Sequence, residues 1–394
     1  MNKNDRIKYQ AEEVCREFTV FCDYALQDKV KLSKRTGYLG KQDCFELNSL
    51  LKVQENYEKP TRIQENYPII HYFYYVAVRY QILEMNEKGT GLIKGENYER
   101  FQATSAIERS LFFLFVLIVE DRFLKRGQYL WPQFNALMDW GESCSPVDGE
   151  TYVLPNRIVP GYEGGSPAVI MTFLEEMGVF RVKERAAYSR YTEIRHWKIE
   201  ICPLFYLIYD IYKWIFRKNQ FLDEEELKEF MLEQYIKKKF PEEKTGNIMK
   251  MFEKAERDYP NQVVDLEIRV RYTKCVRAIR LNLSDSLYTL HSAIQEAVEF
   301  DDDHLFAFYV GNGMLRECYV MEETMTSGEE LPAENTRMGD IPLRKGMKFT
   351  YLFDFGDMWW FDIKVLQISE GSVETPQILK SVGPSPQQYP DWDE

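Results

Sequence analysis

The stretch Lys348-Phe349-Thr350-Tyr351-Leu352-Phe353-Asp354-Phe355-Gly356-Asp357-Met358-Trp359-Trp360 decides how the last third of this chain is read. Two aromatic runs flank Asp-Phe-Gly-Asp. Aspartate favours turns by accepting nearby backbone N–H groups, and glycine by its freedom at positive φ. The pattern predicts two β-strands joined at 354–357. Gly356 is expected to take the positive φ, Phe355 to enter the core, and Asp354 and Asp357 to accept N–H bonds of the turn.

Upstream, Leu266, Ile268, Val270 and Tyr272 alternate with Glu267, Arg269 and Arg271, the period of a strand with one buried face. Ile279, Leu281 and Leu283 repeat the alternation. Asp285 or Ser286 then caps a helix whose apolar stripe is Leu287, Leu290, Ile294 and Val298. Phe306 to Val310, Lys348 to Phe353 and Trp359 to Ile368 add strands. Residues 261–394 therefore read as an α+β domain, a helix packed on a mixed or antiparallel sheet, beginning after Tyr259-Pro260.

The earlier part is mostly helical. Ile7, Val14, Phe18, Phe21 and Leu26 mark an amphipathic helix, Pro68 starts an apolar one, and Ala106 to Val119 is apolar enough for burial on all sides. Helix, hairpin, helix occurs near 69–104 and again near 168–214, the order of a winged-helix unit. Gly141 to Pro167 reads as a long loop or interdomain connection. Two helical, winged-helix-like units, 1–140 and 141–260, are expected before the α+β domain.

Composition narrows the function classes. The chain has 394 residues and a net charge of −13. From Val263 onward there are 12 Lys and Arg against 23 Asp and Glu, so acid is concentrated in the last domain and should repel phosphate there. Seven dispersed cysteines without a Cys-x-x-Cys pair fit reduced thiols, and four histidines limit imidazole chemistry. The polar start and the short apolar runs give no signal peptide or membrane span, so a soluble, cytoplasmic protein is expected. No phosphate loop, dinucleotide fingerprint or nucleophile elbow is present, and no cofactor is expected.

Three separated motifs in order carry a family resemblance. They are Leu287-x-x-Leu290-His291-x-x-Ile294-Gln295-x-Ala297, Asp302-Asp303-His304-Leu305-x-x-Phe308, and Phe349-x-Tyr351-x-x-Asp354-Phe355-Gly356-Asp357-x-Trp359. The segment 263–370 resembles the plasmid pRiA4b ORF-3-like family, whose longer members carry a helical, winged-helix-like region and often accompany mobile elements. The resemblance implies a fold and no agreed activity. Where relatives often have further histidines, this chain has Phe306 and, at Phe361 or a neighbour, no histidine. The C-terminal Cys- and Gly-containing Pro-Pro motif is reduced to Gly383-Pro384-Ser385-Pro386.

Three functional readings follow. In the first, an interaction protein without catalysis uses its acidic domain and the aromatic surface around Tyr351, Trp359 and Trp360 to bind a protein partner or to mimic a polyanion. In the second, a DNA-associated factor of a mobile element uses the basic hairpin Arg181, Lys183, Arg185, Arg190, Arg195 and Lys198, interleaved with Tyr188, Tyr191 and Trp197. In the third, His291, His304, Asp354 and Asp357 form a degenerate metal or acid–base site. The plainer reading of that set is a histidine satisfied inside the core and aspartates that serve a turn.

Overall fold

Apolar patterning at helical spacing dominates the first part of the chain and gives way to strand alternation in the last. The computed structural model describes residues 2–119, 130–154, 167–185, 197–218, 224–243, 246–252, 259–321 and 330–389. It divides into two compact units, Met1–Asn86 with Thr90–Lys254, and Glu87–Gly89 with Ala255–Glu394. Helices belong mainly to the first and a large mixed sheet to the second, an α+β architecture.

In the first unit, α1 (Lys3–Ala25) starts at a capping box in which Asn2 and Asp5 satisfy each other's backbone N–H groups. Its Ile7, Val14, Phe18 and Phe21 are buried. Then come α2 (Lys41–Asn48), α3 (Pro68–Arg79), the short hairpin β1 (Leu83–Met85) and β2 (Leu92–Lys94), α4 (Tyr98–Gln102) and α5 (Ala106–Val119). Leu111 through Leu117 of α5 are all buried, and Phe18, Phe73, Phe101, Phe112 and Phe113 pack edge to face or tilted around them. After α6 (Leu130–Cys144), the stretch expected to be only loop supplies β3 (Thr151–Val153). Three residues are too few to show a period, and it is pairing with a later strand that makes them β. That partner is β5 (Trp197–Ile201), which follows α7 (Pro167–Glu176) and β4 (Phe180–Arg185) in a sheet of order β3-β5-β4. The first unit ends with α8 (Leu204–Lys218), α9 (Glu224–Glu229), a π-helical turn at Phe230–Gln234 and α10 (Tyr235–Lys239). Among the described residues no helix is long and apolar enough to cross a membrane.

The second unit contains β6 (Gln262–Val270), β7 (Val276–Asn282), α11 (Leu287–Val298), β8 (Phe306–Val310), β9 (Glu317–Val320), β10 (Glu330–Pro332), β11 (Lys348–Phe353), β12 (Trp359–Glu370) and β13 (Gln377–Val382). They form one sheet of order β10-β9-β8-β11-β12-β6-β7-β13, antiparallel except for the parallel β9–β10 pair. Ser286, not Asp285, caps α11 by accepting the Thr289 N–H. Leu287, Leu290, Ile294 and Val298 then face Leu266, Ile268, Ile279, Phe308, Phe361 and Ile363 in a continuous core. The alternate residues of these strands form the sheet's other, polar face.

At the β11–β12 turn the structure corrects the sequence expectation. Positive φ falls at Asp354 (54°) and Met358 (58°), and Gly356 is not in that region. The Asp354 carboxylate accepts the Gly356 N–H at 2.7 Å, the local bond that makes a left-handed aspartate tolerable. The chain thus leaves the strand two residues before the glycine, and Phe355 is 47% exposed where burial was expected. Asp357 is exposed and takes no part in the turn's hydrogen bonds.

Candidate functional site

His291 follows Leu287 by one turn of α11, so it faces the sheet and is buried. Its ring stacks on Phe306 at 3.9 Å and 15°, on the residue that stands where relatives are expected to carry a second histidine. Nδ1 lies 2.6 Å from the Tyr351 hydroxyl and Nε2 lies 2.7 Å from Oδ1 of Asp302. Gln295, one turn further along α11, donates Nε2–H to the Tyr351 oxygen at 2.6 Å. One set of protons satisfies all three contacts. The Gln295 amide donates to Tyr351, the Tyr351 O–H to Nδ1, and Nε2–H to the Asp302 carboxylate. Burial holds the His291 pKa below its ordinary value against the upward pull of Asp302, and burial raises that of Tyr351 well above the usual range.

Tyr351 is fully buried, so it is absent from the aromatic surface to which the sequence assigned it. Its hydroxyl ties α11 to the centre of the sheet.

His304 belongs to a separate cluster. Its Nδ1–H donates to the Asp303 carbonyl at 2.7 Å and its Nε2 faces Oδ2 of Asp354 at 3.2 Å. The carbonyl contact, then Asp354, Asp303 and Asp357, raise the His304 pKa above its ordinary value. The C-terminal segment closes over this corner. Gln388 exchanges hydrogen bonds with the backbone of Asp301, and the Tyr389 hydroxyl donates to the Asp303 carboxylate, whose pull raises the tyrosine to about 12. His291 and His304 therefore do not converge on one site, since each holds its own carboxylate. Among the described residues no three His, Cys, Asp or Glu side chains are placed to hold one ion.

Trp359 and Trp360 part company, as neighbours on a strand must. Trp359 packs on the core side against Phe300, with ring centroids 4.9 Å apart. Trp360 opens onto the polar face, into a groove of about 780 Å³. Arg269 and Arg271, Tyr309, Arg316, Lys348 and Lys364 line it together with Glu267 and Asp362. Register explains the assembly. Lys348 stands directly opposite Lys364, Lys364 opposite Glu267, and Asp362 opposite Arg269. Arg271 donates Nε–H and Nη2–H to Oδ1 of Asp362 at 3.0 and 2.7 Å and lies 5.1 Å from the Trp360 ring centre. Arg316 lies 4.4 Å from the ring centre of Tyr309.

Residues 262–388 match the family model of plasmid pRiA4b ORF-3-like proteins. Among solved structures, a protein of unknown function, MM3350 from Methanosarcina mazei Go1, is 22% identical over 30% of this chain and 69% of that chain, with a TM-score of 0.28. No curated protein matches the chain.

The groove of the ORF-3-like domain escaped the sequence reading. Its signal was present in the outward positions of the same alternations that located the core, namely Glu267, Arg269 and Arg271, Lys348 and Thr350, and Trp360, Asp362 and Lys364. Only the strand order β11-β12-β6 stacks these three sets side by side. Asp302 as a partner of His291, and Gln295 as a partner of Tyr351, were likewise invisible.

In the basic hairpin of the first unit, Arg181 and Lys183 both pair with Glu200, at 3.2 and 2.6 Å, and Lys198 lies 3.5 Å from Glu184. Arg185 stands opposite Trp197 in the register of β4 and β5. Arg190 and Arg195, with Tyr188 and Tyr191, lie outside the described residues.

Proposed function

We propose that the ORF-3-like domain is a ligand-binding module without catalysis, and that the groove on its polar sheet face receives an anionic partner. One observation carries this reading. The domain from Val263 onward has 12 basic and 23 acidic residues, yet five of the 12 and only two of the 23 line the groove. Cation is thus gathered locally against the sign of the whole domain. Directly opposed like charges such as Lys348 and Lys364 cost stability in an antiparallel pair, and an anion between them would reverse that cost. The His291 network supports the absence of catalysis. Both ring nitrogens and the Tyr351 hydroxyl are consumed by internal hydrogen bonds, and Tyr351 has no exposed surface.

The aromatic surface expected to meet a protein partner reduces to Trp360, which opens into this groove. In the hairpin expected to meet DNA, Arg181 and Lys183 are already engaged by Glu200 and Lys198 by Glu184, so three of its cations have carboxylate partners within the hairpin. Both features favour the groove as the contact.

Binding of the intact chain to inorganic polyphosphate, measured across a salt series, tests the reading. Lys348→Glu with Lys364→Glu should abolish retention. Lys274→Glu with Lys380→Glu makes the same change in net charge at exposed positions outside the groove and should leave it intact. Equal losses from both pairs would show a response to net charge and remove the groove from the account.

A further inference from the structure

We infer that the groove recognises a planar base together with its phosphate, as a single-stranded nucleic acid or a nucleotide presents them. This rests on the anion-binding reading above and adds the aromatic half of the ligand.

The groove alternates rings with cations. Trp360 and Tyr309 have ring centroids 5.8 Å apart and planes tilted by 30°. Each carries its own guanidinium, Arg271 at Trp360 and Arg316 at Tyr309. Interleaved rings and cations are the composition of surfaces that stack unpaired bases and follow the phosphates between them. Arg271 spends Nε and Nη2 on Asp362, which fixes the plane of its guanidinium beside the indole. Lys348 and Lys364 add two exposed ammonium groups on the neighbouring strands. Gly311, Asn312 and Gly313 line the groove with little side-chain bulk. The volume of about 780 Å³ falls within the usual range for a site that encloses a small organic ligand, roughly 300–1,000 Å³. In a duplex, paired bases stack on one another and offer no free face to Trp360, so the chemistry selects unpaired bases.

The test uses the intact chain and four probes: a single-stranded oligothymidylate, thymidine monophosphate, the corresponding duplex, and inorganic polyphosphate. The single strand should bind more tightly than the duplex and should quench tryptophan fluorescence. Trp360→Ala should weaken the oligothymidylate by about tenfold or more and leave polyphosphate unchanged, whereas Trp360→Phe should retain most of the affinity. Monophosphate binding that depends on Trp360 as strongly would assign the site to a free nucleotide. Tighter binding of the longer strand alone assigns it to nucleic acid. Oligothymidylate binding that ignores Trp360→Ala, or a duplex bound as tightly as the single strand, overturns base recognition while the anion-binding reading stands. Failure of every probe, polyphosphate included, removes both.

Discussion

The hydroxyl of Tyr351 lies 2.6 Å from Nδ1 of His291, in the interior between α11 and the sheet. This contact joins two of the sequence motifs, one helical and one on the central strand β11, and fixes the histidine as a Nδ1 acceptor. From there the chain of hydrogen bonds runs outward to Asp302, which is 41% exposed.

Removing that hydroxyl strands two buried groups at once. In Tyr351→Phe, Nδ1 of His291 loses its donor and the Gln295 amide loses its acceptor. Leaving buried polar groups unpaired costs about 1–3 kcal/mol. Amide exchange of α11 and β11, measured in the intact chain, should quicken accordingly. Exchange unchanged in both elements would mean that the network does not hold the helix to the sheet.

The two histidines of this domain should titrate in opposite senses. Both start from an ordinary value of 6.5, with His304 raised and His291 lowered. The His304 contribution to stability is then fully present below pH 6.5 and disappears as pH rises through its raised folded value. That of His291 is present above pH 6.5 and is lost as pH falls towards its lowered value, because the unfolded chain takes the proton first. Imidazole resonances followed by NMR should show midpoints on either side of 6.5. A His291 midpoint above it would mean that Asp302 outweighs burial.

Strand alternation and the Ser286 cap were legible because each is a local rule with a fixed period. They located the core face of β6, β7, β11 and β12 and the stripe of α11. Strand order was not legible, since pairing between residues as distant as Glu267 and Lys364 leaves no local trace. The polar groove depends entirely on that order, and so does the partner of His291. Net charge could not indicate the groove for a related reason: it averages over a domain in which five of 12 basic residues line one groove.

At the turn, the sensitive residue should be Asp354 and not Gly356. Asp354 occupies the left-handed region and accepts the Gly356 N–H, so Asp354→Ala loses that bond and keeps an unfavourable φ. A cost of about 1–2 kcal/mol is expected, and Asp354→Asn, which keeps an acceptor and tolerates the same φ, should cost roughly half a kcal/mol. A Cβ at Gly356 would meet Asp354 Oδ1 at 3.1 Å, which a small carboxylate shift relieves, so Gly356→Ala should stay within about 0.5 kcal/mol. Amide exchange along β11 and β12 ranks the three. A larger effect from Gly356→Ala than from Asp354→Ala would restore the glycine to the role the sequence first gave it.

The last prediction concerns the first unit, where Glu176 at the end of α7 is 4% exposed and neither carboxylate oxygen has a hydrogen-bond partner among the described residues. Burial, with the nearby Glu17 and Glu175 carboxylates and against the pull of Lys52, pushes its pKa up to about 8. The unfolded chain loses this proton near the ordinary value of 4.5. The folded state therefore holds the proton over a window in which the unfolded state has released it, and stability falls as pH rises from about 4.5 to about 8. Above that window the folded state carries a buried charge that Lys52 offsets only in part. Glu176→Gln keeps the shape of the protonated side chain and cannot ionise. It should melt like the parent at pH 4 and be more stable above pH 8, by on the order of 2–4 kcal/mol. Thermal melts of both proteins across that range decide the matter. A stability gap that does not widen with pH would show that Glu176 stays charged and finds its compensation elsewhere in the first unit.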